Sequence, residues 1–246
     1  MYGGFAKIYD GLMTDAPYEL WAAYIHGLLL EWFKSKNRDQ VLVLDMACGT
    51  GSITLLLAEK GYDLIGVDYS EDMLAEANRK AFEAGRRVLF LKQDMRNLDL
   101  YGTVDAAVCV CDGMNYILEE EELKKIFARV RLFLNPGGVF IFDMNTEYKF
   151  KEVLANNIFE DQSAEGSYVW ENSYDAETKI NEYFVTFTDF DENEPFIEHH
   201  RQRAYPPADI LNMLREAGFS MISTKNGYSH EAVRPESARI VYVAGV

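Results

Sequence analysis

The chain has 246 residues, 48% of them hydrophobic, which is enough core for one large domain or one domain with an insertion. Its formal net charge of −16 argues against a broad nucleic-acid footprint, because phosphate binding wants clustered Lys and Arg, and the only dense basic spots are Arg86-Arg87 and Arg201-Gln202-Arg203. No apolar run approaches the roughly 18 residues of a membrane span. The start, MYGGFAKIYDG, lacks a basic stretch followed by an apolar one, so no secretory signal is expected. The three cysteines cannot all pair, which predicts reduced thiols and a cytoplasmic setting. There is no C-x-x-C and no His cluster at zinc spacing, so no metal site is expected.

Pro17 to Lys36 reads as an amphipathic helix. Val41 to Leu44 then reads as a strand buried on both faces, with Asp45 where it leaves the sheet. Ala47, Gly49 and Gly51 strip bulk from the following turn, so that a ligand can lie against the backbone. Ser52 to Lys60 predicts a helix stopping at Gly61. Leu64 to Val67 is a second strand ending at Asp68, and Ser70 caps the next helix with Glu71 and Asp72 in its first turn. Val88 to Leu91 and Asp105 to Cys111 predict two further strands, the latter with Cys109 and Cys111 on one face and a turn at Asp112 to Tyr116. Asn135-Pro136-Gly137-Gly138 is a strong turn signal before the strand Val139 to Asp143. Thr146 to Asn156 reads as a further helix.

Residues 158 to 205 change character. Ser167 to Tyr174, Ile180 to Phe190 and Phe196 to Tyr205 alternate in polarity between turns at Asp175 to Thr178 and Asp191 to Pro195, which predicts an antiparallel meander. His199 and His200 should face opposite sides of its last strand. A helix over Asp209 to Ala217 and strands over Phe219 to Lys225 and Arg239 to Ala244 close the chain. The expected fold is α/β: a doubly wound, mostly parallel seven-stranded sheet with a terminal antiparallel hairpin, plus the inserted β-meander. The expected division is 1–157 with 206–246 as the ligand-binding domain and 158–205 as a subdomain over the second substrate.

A ligand belongs at the carboxyl end of the first strand, and the departures from the dinucleotide fingerprint say which kind. Thr54 stands where that pattern wants glycine or alanine, and a carboxylate at Asp45 repels phosphate but suits a cation. D-x-A-C-G-T-G, beginning at Asp45, resembles the first motif of class I S-adenosylmethionine-dependent methyltransferases. GVDYSEDMLAEA resembles their second motif, and L-x-P-G-G before an apolar strand is similar to another. C-D-x-x-N-Y-I and H-R-Q-R-A-Y resemble a small bacterial subgroup. The resemblance implies S-adenosyl-L-methionine as cofactor. It implies contacts from Tyr9 on an N-terminal lid, Asp45 near the ammonium, Ala47, Gly49, Gly51, Asp68 at the ribose, Tyr69, Met73, Asp94 and Met95 at the adenine, and Cys111. Candidate acceptor contacts are Asn115, Tyr116, His200, Arg201, Arg203 and Tyr205. Asp112, Tyr116 and His200 are candidate general bases, and the catalytic residue is left open. The expected acceptor is a small molecule methylated on N or O. The alternatives are RNA or protein methylation, a nicotinamide-dependent oxidoreductase, or a non-enzymatic S-adenosylmethionine-binding protein.

Overall fold

The computed structural model describes residues 9–10, 16–162, 166–189 and 195–246. Among these residues, eleven strands fall into two sheets. The first five are β1 (Leu42–Met46), β2 (Asp63–Asp68), β3 (Leu89–Lys92), β4 (Val104–Cys109) and β5 (Leu134–Asn145). The last two are β10 (Met221–Asn226) and β11 (Arg239–Gly245). These seven form one sheet in the order β10-β11-β5-β4-β1-β2-β3. It is parallel except at the β10–β11 and β11–β5 pairs, as the terminal hairpin predicts.

Helices cover both faces. They are α1 (Tyr18–Trp32), α2 (Ser52–Glu59), α3 (Glu71–Glu83), α4 (Glu120–Phe133) and α5 (Pro207–Glu216). Val43, Val108, Ile141 and Val241 bury one face of the central strands beside Ile25, Leu29 and Leu57. Leu44, Ala107, Phe142 and Tyr242 bury the other beside Phe127 and Leu214. Removing each such large apolar side chain from water is worth roughly 1.5–3 kcal/mol, which fixes the strand order far more firmly than any single hydrogen bond. α3 starts where expected: Ser70 Oγ accepts from the Met73 amide at 3.3 Å, with Glu71 and Asp72 in the first turn.

Four expectations are corrected. The Asn-Pro-Gly-Gly segment does not separate helix from strand. It lies inside β5 as a bulge, with the β4–β5 register jumping from Val104–Leu134 to Ala106–Val139, and there the proline removes no ladder hydrogen bond. β4 ends at Cys109, so Cys111 does not share its face: Cys111 and Asp112 both turn left-handed, at φ 59° and 53°. The helix after β5 is a wide π-turn over Lys149–Leu154. The meander has four strands rather than three: β6 (Ile158–Gln162), β7 (Gly166–Asp175), β8 (Ile180–Asp189) and β9 (Phe196–Arg203), paired antiparallel in that order. The expected turn at Asp191 to Pro195 lies, save for Pro195, outside the described residues.

This second sheet presents one face to the helices and turns of the first. The cross-strand pairs Trp170–Val185, Tyr183–His200, Val185–Glu198 and Phe187–Phe196 share that face. Phe187, Tyr168 and Phe196 pack with Met73 of α3 and with Tyr9. Asn115 ties the two sheets together: its Nδ2 donates to the Asn145 carbonyl at 3.1 Å and the Arg203 carbonyl at 2.9 Å, and its Oδ1 accepts from the Asn145 amide at 2.8 Å.

Candidate functional site

The carboxyl ends of β1, β2 and β4 meet below the second sheet. Asp45, near the end of β1, is 1% exposed, with Oδ2 accepting from Thr54 Oγ1 at 2.5 Å and Oδ1 without a partner. Burial pushes its carboxyl up to about 7, with the Thr54 bond opposing and the nearby Asp68 adding to the rise. Thr54, which the sequence offered only as an obstacle to a dinucleotide site, is the residue that orients this carboxylate.

The glycine turn is shaped as the sequence predicts. Gly49 and Gly51 are left-handed, at φ 54° and 77°, and a Cβ on Gly49 would meet no atom within 4 Å. The space over Gly49 is therefore open to a ligand. Asp68, at the tip of β2, accepts from the Gly49 amide and the Ser70 amide, each at 2.8 Å. Burial raises its carboxyl despite those bonds. Ala47, also left-handed, carries the chain between the two aspartates. Tyr69 stands 71% exposed beside Asp68, whereas Met73 is buried beneath Tyr9. Asp94 caps a 3-10 turn over Met95–Asn97, and its carboxylate pairs with Arg96, which holds it below its usual range. Met95 packs against the core.

Two groups close over this edge. Asp10 accepts from Thr50 Oγ1 at 2.7 Å and from Lys80 Nζ at 2.5 Å, and Lys80 also donates to Ser52 Oγ at 2.9 Å. That latch fixes the helical turn of Tyr9 and Asp10 against the glycine turn and α3. Burial drives the Tyr9 phenol upward, with Tyr18 and Cys111 close enough to add to the effect. The rest of the expected N-terminal lid, Phe5 to Ile8 and Gly11 to Met13, lies outside the described residues.

The turn after β4 is held by a network that sequence reasoning missed. Arg239, at the start of β11, pairs with Asp143 and with Asp112, the latter at 2.7 Å. Gln202 of β9 donates to the other Asp112 oxygen at 2.6 Å, Tyr228 donates to Asp143 at 2.9 Å, and the Asp112 amide reaches Asp143 at 3.2 Å. The Arg239 guanidinium sits 5.4 Å over the Trp21 ring, which stacks on Tyr228. Six residues spread from Trp21 to Arg239 meet here, so no local motif could announce them. Both Asp112 oxygens are engaged, which makes it a tethered carboxylate rather than a free base.

Beyond that turn, Tyr116 Oη lies 2.7 Å from Tyr183 Oη and 3.4 Å from His200 Nδ1. His200 stacks on Tyr183, with ring centroids 4.7 Å apart. Burial lowers the imidazole to about 4, so His200 is neutral at pH 7. The structure thus brings Tyr116 and His200 together. It does not bring Arg201 to them: that side chain lies on the opposite face of β9, 3.9 Å from Glu182. Arg203 donates to the Leu118 carbonyl at 2.8 Å and Tyr205 to the Ile117 carbonyl at 2.6 Å. Both therefore brace the chain where the second sheet returns, and Asn115 is likewise committed to backbone.

The chain shares 34% identity with a putative methyltransferase, YqeM, of Bacillus subtilis (strain 168), over 99% of this chain and 96% of the relative. A methyltransferase domain model matches residues 43–138. The solved structure of an S-adenosylmethionine-dependent methyltransferase from Clostridium acetobutylicum ATCC 824 superposes with a TM-score of 0.88, at 34% identity over 99% of this chain and 98% of that one. The chain belongs to the class I S-adenosylmethionine-dependent methyltransferases. It is an enzyme of that family, and S-adenosylmethionine is its cofactor. A sugar N-methyltransferase from Streptoalloteichus sp. ATCC 53650 shares the fold, with a TM-score of 0.76 and 21% identity over 94% of this chain and 89% of that one. The residues present fit the methyltransferase cofactor: a buried carboxylate with one vacant oxygen, a second carboxylate at the adjacent strand tip, and open space over Gly49 between them. Among the described residues, no helix is long and apolar enough to cross a membrane.

Proposed function

We propose that this methyltransferase modifies a nitrogen or oxygen of a small-molecule acceptor, enclosed between the turn after β4 and the inward face of β7, β8 and β9. The observation that carries this reading is the Tyr116–Tyr183–His200 group, which ties the second sheet to the 3-10 turn that follows β4. Such a cover leaves room for a small, partly apolar molecule better than for a folded macromolecule. The net charge of −16 and the outward position of Arg201 further disfavour RNA.

The cofactor supplies an electrophilic methyl group on a sulfonium, which an acceptor lone pair displaces in line. In this reading Asp45 takes the ammonium of its methionine part and Asp68 its ribose hydroxyls. Gly49 and Gly51 allow close approach. Met73, Met95, Asp94 and the largely buried thiol of Cys111 line the remaining surface, and Tyr69 forms the outer rim. Tyr9 excludes water from above, and water exclusion strengthens every charge–charge contact beneath it. Tyr116 orients the acceptor. His200, neutral and hydrogen-bonding, positions rather than donates charge. Residues 1–157 and 206–246 hold the cofactor in this scheme, and residues 158–205 hold the acceptor. The three free cysteines fit a cytoplasmic enzyme.

The deciding experiment is a methyl-transfer assay with labelled cofactor across pools of small-molecule metabolites, bulk tRNA and denatured protein. Label entering only the small-molecule pool is expected. Label entering RNA or protein instead would overturn the reading.

A further inference from the structure

Two consecutive residues after β4 stand in the left-handed backbone conformation that side chains disfavour: Cys111 at φ 59° and Asp112 at φ 53°. Glycine takes that conformation freely, so a turn that only had to reverse the chain would gain from glycine at 112. The aspartate there is instead engaged at both side-chain oxygens and at its amide. Oδ1 accepts from Arg239 at 2.7 Å, Oδ2 accepts from Gln202 Nε2 at 2.6 Å, and the amide donates to Asp143 at 3.2 Å. Asp143 is fully buried and is itself held by Arg239 and Tyr228. Asp143, Tyr228 and Arg239 belong to the main sheet and its closing hairpin. Gln202 does not: it comes from β9, and it is 2% exposed.

What the turn touches gives that contact a consequence. Gly113, the next residue, is packed so closely that a Cβ there would lie 2.8 Å from Cys109 Sγ and 3.3 Å from Ala47 Cβ. Ala47 carries the chain from Asp45 towards Gly49, along the cradle that fits the cofactor. A close-packed interior transmits a displacement rather than absorbing it. A shift of Asp112 therefore reaches the cradle through Gly113 and Ala47. The Gln202–Asp112 bond has an ionised acceptor and a buried donor, the combination that holds geometry most firmly. Asn115 and Tyr116, further along the same turn, also meet the second sheet. Among the described residues, however, only Gln202 brings that sheet to the left-handed pair.

We propose that Gln202 is a positioning residue for the cofactor. Through Asp112 it sets the turn after β4 against Ala47, so that the seating of the second sheet and the affinity for the cofactor are coupled. The coupling is reciprocal: what firms one side firms the other. This goes beyond the acceptor reading and holds for any acceptor. It rests on the placement of the cofactor over Gly49, between Asp45 and Asp68.

Calorimetry with S-adenosylhomocysteine tests this on the wild type, Gln202→Glu, Asp112→Asn and the double variant, each shown to be folded by circular dichroism. Gln202→Glu sets two carboxylates face to face and should raise the dissociation constant about tenfold or more. In the Asp112→Asn chain the same change should cost about threefold or less, because the new amide accepts from Arg239 through its oxygen and donates to the new carboxylate through its nitrogen. A glutamine whose role lay elsewhere would cost the same in both backgrounds. Hydrogen exchange is the second measurement. S-adenosylhomocysteine should slow exchange in β9 about threefold or more and leave β6, at the far edge of the same sheet, within about twofold. Gln202→Leu, which removes the donor without adding charge, should at least halve the β9 response, and it serves as the test if Gln202→Glu does not fold. Equal costs in the two backgrounds, or a β9 response that Gln202→Leu leaves unchanged, would overturn the proposal. Asp68→Ala, measured alongside, tests the placement beneath it: wild-type affinity in that variant would overturn the placement, and the proposal with it.

Discussion

Asp45 carries two opposed obligations. With its carboxyl raised to about 7 by burial, it binds a proton more tightly folded than unfolded. Its effect on stability is therefore fully favourable below the unfolded value near 3.8, and is lost as pH rises through about 7. Affinity for a cationic ligand should move the other way and strengthen as the carboxylate ionises. We expect S-adenosylhomocysteine binding to tighten between pH 6 and 8, and Asp45→Asn to abolish that dependence while raising apo stability at pH 8 by about 2–4 kcal/mol. Calorimetry and denaturant melts across pH check both halves, and a pH-independent wild type would contradict the assignment. Asp68→Ala should weaken cofactor binding by about 1.5–3 kcal/mol, because buried hydroxyls lose a charged acceptor. The same change frees the Gly49 and Ser70 amides, so a modest drop in Tm should accompany it. At this scale the sequence showed both acids plainly, because each ends an apolar strand and precedes a turn. It hid Arg239, Gln202 and Thr54, whose partners are set only by tertiary approach.

At the scale of elements, the parallel strands were legible because four-residue apolar runs alternate with capped helices, and only a doubly wound sheet satisfies both. The edges were not. β6 was missed because Ile158 to Gln162 carries little alternation: four of its five residues are exposed, so almost nothing in its pattern separates it from a loop. The bulge in β5 was missed because Asn-Pro-Gly-Gly ends an element in most settings, and here the neighbouring strand absorbs it. The latch of Asp10, Thr50, Ser52 and Lys80 joins three elements and yields a separate expectation. Lys80→Met should release the Tyr9 turn and raise the dissociation constant for S-adenosylhomocysteine three- to tenfold, or about 0.7–1.4 kcal/mol. Because the lost contact is ionic and part-exposed, the gap between wild type and variant should narrow in 1 M salt. Stopped-flow dissociation would show the effect in the off-rate, and an unchanged off-rate would show that the latch does not gate the site.

The whole molecule adds two expectations. S-adenosylmethionine and S-adenosylhomocysteine should both raise the melting temperature, and NAD should not; at a hundredfold excess over the dissociation constant, linkage supplies about 2.7 kcal/mol. The charge of −16 repels itself, so moderate salt should stabilise the apo chain, unlike the latch, which salt weakens. The amide of Asn115 bonds to the chain at Asn145, where it leaves the main sheet, and at Arg203, where it comes back. Departure and return thus lie within one side chain of each other. Everything between is, topologically, a detour with a narrow neck, and a segment anchored so costs little loop entropy to lengthen, shorten or exchange. Such a detour can be traded for another without disturbing a single strand of the sheet beneath, so that, under the proposed function, a new acceptor could be met while the cofactor's part of the chain stays as it is.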